Sequence, residues 1–189
     1  MFDSQSDLAA LVYGPGDAPD CLLRDFAMRL QCLGYRPIGL VQRGGYASVA
    51  HEVVPAITLP RMTPIPLRHC HTLHSAGCHL DAGHIAEMKR KLSAAIKNTA
   101  DVVIINRFGK LEAEGAGFID LIREAAAVDL PIVIAVAAVR FMSWTQFSQG
   151  MGIKLRCTPQ DLDNWWQTIA PLRRACPPQP ALTFCEIVK

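Results

Sequence analysis

A chain of 189 residues, 50% apolar and 19% charged, is long enough to bury one substantial core and too short for two ordinary domains. Its 19 Lys and Arg against 17 Asp and Glu leave a formal charge of +2, far from the basic excess of a protein that wraps nucleic acid. The longest apolar run, 131–139, falls well short of the roughly 20 residues that span a bilayer, and the opening MFDSQSD has neither the basic nor the apolar region of a signal peptide.

A cytoplasmic protein with no nucleic-acid partner and no membrane insertion is therefore expected. The cysteines, 21, 32, 70, 78, 157, 176 and 185, are odd in number and contain no CxxC pair, which argues against a disulfide framework. Leu8-Ala-Ala-Leu-Val-Tyr13 is a short apolar run ended by Gly14-Pro15-Gly16, the pattern of a strand buried on both faces. Asp17 and Asp20 then open a helix with Leu22, Leu23, Phe26, Ala27 and Leu30 on one stripe, closing at Gly34, and the two acids read as its cap and capping-box partner. Pro37 to Val41 is a second strand. Between Tyr46 and Pro66, prolines 55, 60, 64 and 66 confine the chain to edge strands or loop.

Asp81 is placed to cap a helix carrying Ile85, Met88, Leu92 and Ile96, which feeds the central-strand run Asp101 to Ile105. A glycine turn leads to a helix around 118–127 and then to the strand Pro131 to Val136. Thr158-Pro159-Gln160-Asp161 starts a last helix with Leu162, Trp165, Trp166 and Ile169 behind it, where the tryptophans read as core and half-buried surface. Strand and helix alternating in this way predict a three-layer αβα sandwich on a mainly parallel sheet. One α/β domain is expected over 1–172, with 173–189 as a C-terminal tail.

A strand, a glycine turn and a helix are the setting of a P-loop, G-x-x-x-x-G-K-[ST]. Counted from Gly14, Pro19 stands for the second glycine, Asp20 for the lysine and Cys21 for the hydroxyl residue. An acid at the helix start repels a triphosphate. The strand Val102 to Ile105 ends in Asn106-Arg107, where a hydrolase needs acids to hold magnesium and activate water.

The stretch Asn106-Arg-Phe-Gly-Lys-Leu-Glu-Ala-Glu-Gly115, with Leu8 to Asp20, Gly39 to Arg43 and Gly77 to Asp81, resembles a bacterial family, the domain of unknown function numbered 2478, over about residues 8–172. That family is similar in turn to small nucleoside-triphosphatases whose strand ends D-E-I-G-K-M-E, with Gly109, Lys110 and Glu112 on matching positions. The resemblance implies a degenerate P-loop-like fold. It also implies a link to molybdenum, because members are commonly named molybdenum-transporter ATP-binding proteins.

Ligands of open α/β sheets bind outside the carboxyl ends of the strands. Arg43, Arg107 and Arg140 each follow an apolar run, and Lys110 lies just beyond Arg107, beside the turn Gly14, Gly16 and Asp17. Converging there, they would make a site for an oxyanion such as molybdate or for a phosphate-bearing ligand, and Glu112 joins this set through the family motif. The plainer alternative has each arginine reaching solvent or pairing with Asp17, Glu112 or Glu114. A second cluster, His69, Cys70, His71, His74, Cys78 and His79, is dense in transition-metal ligands but fits no closed tetrahedral spacing. Cys21 and Cys78, near helix starts, are candidate thiolates.

The expected protein is a non-hydrolysing P-loop-like binder of a small anion, associating with itself or with a molybdenum-pathway partner. The alternatives are an active nucleoside-triphosphatase using ATP and magnesium at an unusual site, and a transition-metal accessory protein.

Overall fold

The computed structural model describes residues 7–42, 54–61, 63–67 and 82–174. In chain order these form β1 (Leu8–Tyr13), α1 (Pro19–Cys32), β2 (Pro37–Gln42), β3 (Val54–Leu59), β4 (Thr63–Leu67), α2 (Ala82–Asn98) and β5 (Val102–Phe108). There follow α3 (Lys110–Ala113), α4 (Ile119–Ala127), β6 (Ile132–Ala137), a 3-10 turn (Ala138–Arg140), α5 (Phe141–Phe147), β7 (Ile153–Arg156) and α6 (Pro159–Arg174).

The strands join into one seven-stranded sheet in the order β4-β3-β2-β5-β6-β1-β7. β2, β5, β6, β1 and β7 are parallel to one another, whereas β3 pairs antiparallel with both β2 and β4 and the β3–β4 hairpin finishes one edge. Residues 102–105 of β5 and all of β6 read as unbroken apolar runs because both of their faces are covered. Alternate residues feed two separate cores. Ala9, Leu11, Val102, Ile104, Val133 and Ala135 pack beneath α1 and α6, while Ala10, Val103, Ile105, Ile132 and Ile134 pack beneath α2, α4 and α5.

The expected three-layer αβα sandwich with a mainly parallel sheet is thus the fold. Each fully buried Leu, Ile or Phe in the two cores contributes about 1.5–3 kcal/mol relative to exposure. Gly39 lets β2 approach β5, since a Cβ there would run into the Ile104 carbonyl oxygen. Trp165 and Trp166 are both buried, against Phe26 and, for Trp166, Tyr35, so neither is a half-buried surface residue. α6 continues through Arg174, past the residue expected to open the tail. Besides the 3-10 turn, three elements escaped the sequence pattern, the one-turn helix α3, the short helix α5 and the edge strand β7. Among the described residues no helix is long and apolar enough to cross a membrane. Asp81, the expected cap of α2, lies outside the described residues.

Candidate functional site at the carboxyl edge

Topology locates the site. β1 and β6 are neighbours, but β1 leads into α1 on one face of the sheet and β6 leads into α5 on the other. Connections that part in this way open a crevice at the carboxyl ends of the two strands, the place where open α/β sheets bind ligands. The β1–α1 turn lies on one side of it, and the ends of β5, β6 and β7 complete the edge.

The turn itself is closed by its own acid. The Gly14 N–H donates to Asp17 Oδ2 at 2.7 Å, and the Asp17 N–H donates to the Gly14 carbonyl at 3.3 Å. A backbone amide of the kind that would cradle a phosphate therefore already holds a carboxylate. Gly16 supplies the positive φ of +92° that the turn requires. α1 starts at Pro19, which suits a position where no N–H is needed. Its cap residue, Ala18, makes no side-chain hydrogen bond, so the reading of Asp17 and Asp20 as cap and capping-box partner is corrected. Asp17 serves the turn, and Asp20 points elsewhere.

Asp20 is 6% exposed and meets the end of β5, where Asn106, itself 2% exposed, donates from Nδ2 to Asp20 Oδ1 at 2.5 Å. The register of β5 against β6 shifts between Ile105 and Phe108, and both of those residues pack in the α2/α4/α5 core. One extra residue is thereby inserted, and Asn106 and Arg107 both turn toward α1 and β1. The Asn106–Arg107 peptide bond is cis. Arg107 donates from Nη1 to the Tyr13 hydroxyl at 3.2 Å, its guanidinium carbon stands 5.9 Å from the centre of the Tyr13 ring, and Nη2 lies 3.9 Å from Asp20. Asn106 Oδ1 is buried with no hydrogen-bond partner.

The field at this edge is negative on the turn side. Cys157, just past β7, has its thiol pushed up to about 11, first by burial and then by the charges of Asp17 and Asp20. That thiol is held protonated, the opposite of an activated nucleophile. Cys21, the candidate thiolate that falls among the described residues, is exposed on α1.

The remaining expected site residues separate. Glu112 is turned to its own loop. It is buried, its Oε2 accepts the Gly109 N–H at 2.9 Å and its Oε1 the Phe118 N–H at 3.1 Å, so it closes the loop around α3. Lys110 is exposed, with its ammonium 3.7 Å from Glu114. Arg140 is half-buried in the 3-10 turn after β6, whose last residue Ala137 pairs with Tyr13, so it shares the edge with Arg107. Arg43 and the cluster His69, Cys70, His71, His74, Cys78 and His79 lie outside the described residues. Among the described residues no three His, Cys, Asp or Glu side chains gather as a metal site. Tyr13, Asn106 and Cys157 were not singled out from the sequence as site residues, and only their positions at strand ends could have flagged them.

The fold is shared with a solved structure: the solution structure of a human cancer-related nucleoside triphosphatase superposes with a TM-score of 0.58 at 14% identity, covering 88% of this chain and 97% of that one. The chain belongs to the family described as protein of unknown function DUF2478, whose model matches residues 8–165. It is also 36% identical over 163 residues to molybdenum import ATP-binding protein ModC 2 of Bradyrhizobium diazoefficiens. That match takes in 85% of this chain but only 18% of the relative's length.

Proposed function

We propose that the chain is a non-hydrolysing protein of nucleoside-triphosphatase fold that holds a small oxyanion or phosphate-bearing ligand at the carboxyl edge and serves molybdenum handling. The observation that carries this reading is the buried contact between Asp20 and Asn106. Asp20 stands where a P-loop has its lysine, and Asn106-Arg107 stands where a hydrolase has its two acids, so the signs of the charges are exchanged between the two halves of the site. A triphosphate on the turn would face Asp17 and Asp20 instead of a lysine, and water would lack its general base. Arg107, set over Tyr13 and beside the β6 end that carries Arg140, supports a smaller anion bound from the β5 side. The molybdenum setting is supported by the printed name of the relative.

The test is made on the purified chain. Magnesium-dependent release of phosphate from ATP or GTP should be absent, and molybdate, tungstate, sulfate or phosphate should raise the melting temperature by mass action. Arg107→Ala should abolish that rise, while Lys91→Ala on the outer face of α2 should leave it intact. Turnover of ATP at an ordinary enzymatic rate would restore the active-hydrolase reading, and the absence of any thermal response to oxyanions would remove the anion site.

A further inference from the structure

We infer that the outer face of α1 is where two copies of this chain meet, their helices lying antiparallel across a two-fold axis that passes between Phe26 and Ala27. The inference is independent of the oxyanion reading. The exposed residues of α1 are Cys21, Asp25, Met28 and Cys32, and Leu33 follows them in the open. The outward face of a helix on a globular protein is ordinarily polar. α6 packs on the same side of the sheet and keeps to that rule, exposing Gln160, Asn164, Gln167 and Thr168 after its opening proline. α1 instead turns two thiols and a thioether outward, soft apolar groups, with Met28 49% exposed.

The stripe advances by four, three and four residues, the d-a-d-a spacing of a two-stranded coil. Reversing one helix stacks d on a, and about this axis every layer does so: Cys21 meets Cys32 of the second copy, and Asp25 meets its Met28. The helix is matched to its own reversed copy on the flanks too, with Leu23 and Leu30 buried and Arg24 and Arg29 half-buried at mirrored positions. Such self-complementarity is what an isologous interface requires. Charge agrees with this orientation. Asp25 is the one charge in the seam, and its own Arg24 donates to it at 3.1 and 2.9 Å. Arg29, steadied at 2.8 Å by Asp163, lies on the flank next to Asp25, so that Arg29 of the second copy comes nearly level with that carboxylate. A parallel pair would set Asp25 against Asp25, and sliding the antiparallel pair by one layer would leave Met28 and Cys32 uncovered.

Three turns of helix make a small contact, so the dimer is a weak one, half-formed at about 100 µM. The experiment treats the whole chain with a short bismaleimide that reaches well under the ~16 Å separating Cys21 from Cys32 along one helix, and maps the linked peptides by mass spectrometry. A link from Cys21 of one chain to Cys32 of another should form at about 100 µM and fall about tenfold or more on dilution to about 1 µM. Met28→Glu sets a second carboxylate opposite Asp25 and should remove the link, whereas Gln167→Glu on the outer face of α6 should leave it. Both positions are exposed, and an unchanged melting temperature confirms that each variant is folded. Links dominated by Cys21 to Cys21 or Cys32 to Cys32 overturn the antiparallel pair, as does a link that survives Met28→Glu. Links within one chain from Cys21 or Cys32 to Cys176 or Cys185 would assign the face to residues 175–189 and overturn it as well. The absence of any link between chains at about 1 mM removes the interface altogether.

Discussion

Glu112 and Asp20 are carboxylates of nearly equal burial at the same edge of the sheet, 7% and 6% exposed, and they are used in different ways. Glu112 takes its two hydrogen bonds from backbone amides three and six residues away, and so fastens its own loop. Asp20 takes its short bond from a side chain 86 residues away and so fastens one element to another. The first is an architectural acid whose partners are fixed donors. The second faces side chains, a buried amide and a guanidinium, that carry chemistry of their own. Burial alone does not separate a cap from a site; the origin of the partner does.

The contrast can be broken by mutation, and the largest effect is expected at Glu112. Glu112→Ala leaves two loop amides without their acceptor and should lower stability by about 2–5 kcal/mol. Gly117→Ala should act in the same direction, because φ there is +59° and the new Cβ would meet Glu112 Oε1. A urea midpoint unchanged in both variants would mean that Glu112 does not hold the loop.

Next comes Cys157, which reports the field of the turn. Half-buried and with its thiol pushed up from 9.0 to about 11, it should alkylate about a hundredfold more slowly at pH 8 than the exposed Cys21 and Cys32. Asp20→Asn should speed it, since part of the shift comes from that charge. Labelling followed by mass spectrometry distinguishes the three, and equal rates would show that Cys157 does not feel the turn.

Asp20→Ala strands one buried donor, where loss of Glu112 strands two, and should cost about 1–3 kcal/mol, with Asp20→Asn milder because an acceptor remains. Equal losses in the alanine and asparagine variants would show that the contact with Asn106 contributes nothing.

The smallest effect belongs to a third carboxylate. Asp161 joins Arg156 through two side-chain hydrogen bonds and is held at about 2, below its ordinary 3.8, by that guanidinium. A depressed carboxylate stabilises the fold above its unfolded value, and the contribution disappears as pH falls from about 3.8 to about 2. With Arg156 largely exposed, the amount is about 1 kcal/mol or less. Asp161→Asn should flatten the acid limb of stability over that window, and an unaltered limb would remove the pair from the account.

What the sequence made legible follows the same division. β1, β2, β5 and β6 are runs buried on both faces, and the start of α6 carries its own local signal, Thr158 accepting from the Asp161 N–H at 3.2 Å. β7 was not legible because only Leu155 of its four residues is buried, and α5 because it is short and turns only Trp144 fully inward. At the site, Asp20 has the composition of a first-turn cap. Its actual partner lies on a strand end, and an extra residue in β5 decides which way Asn106 and Arg107 face. No local pattern encodes a pairing of that range.

The prolines of the outer hairpin have a consequence for the company the molecule keeps. β4 is the last strand of the sheet at its end, and residues 64 and 66 within it are prolines, with no N–H to offer. Prolines tolerated in a sheet turn that missing donor outward. A neighbouring chain seeking to extend the sheet would therefore find acceptors without the alternating donors that a ladder needs. At the other end β7 is brief and carries Lys154 and Arg156 exposed. Among the described residues, both borders of the sheet are thus of the kind that discourages strand-to-strand pairing with another chain.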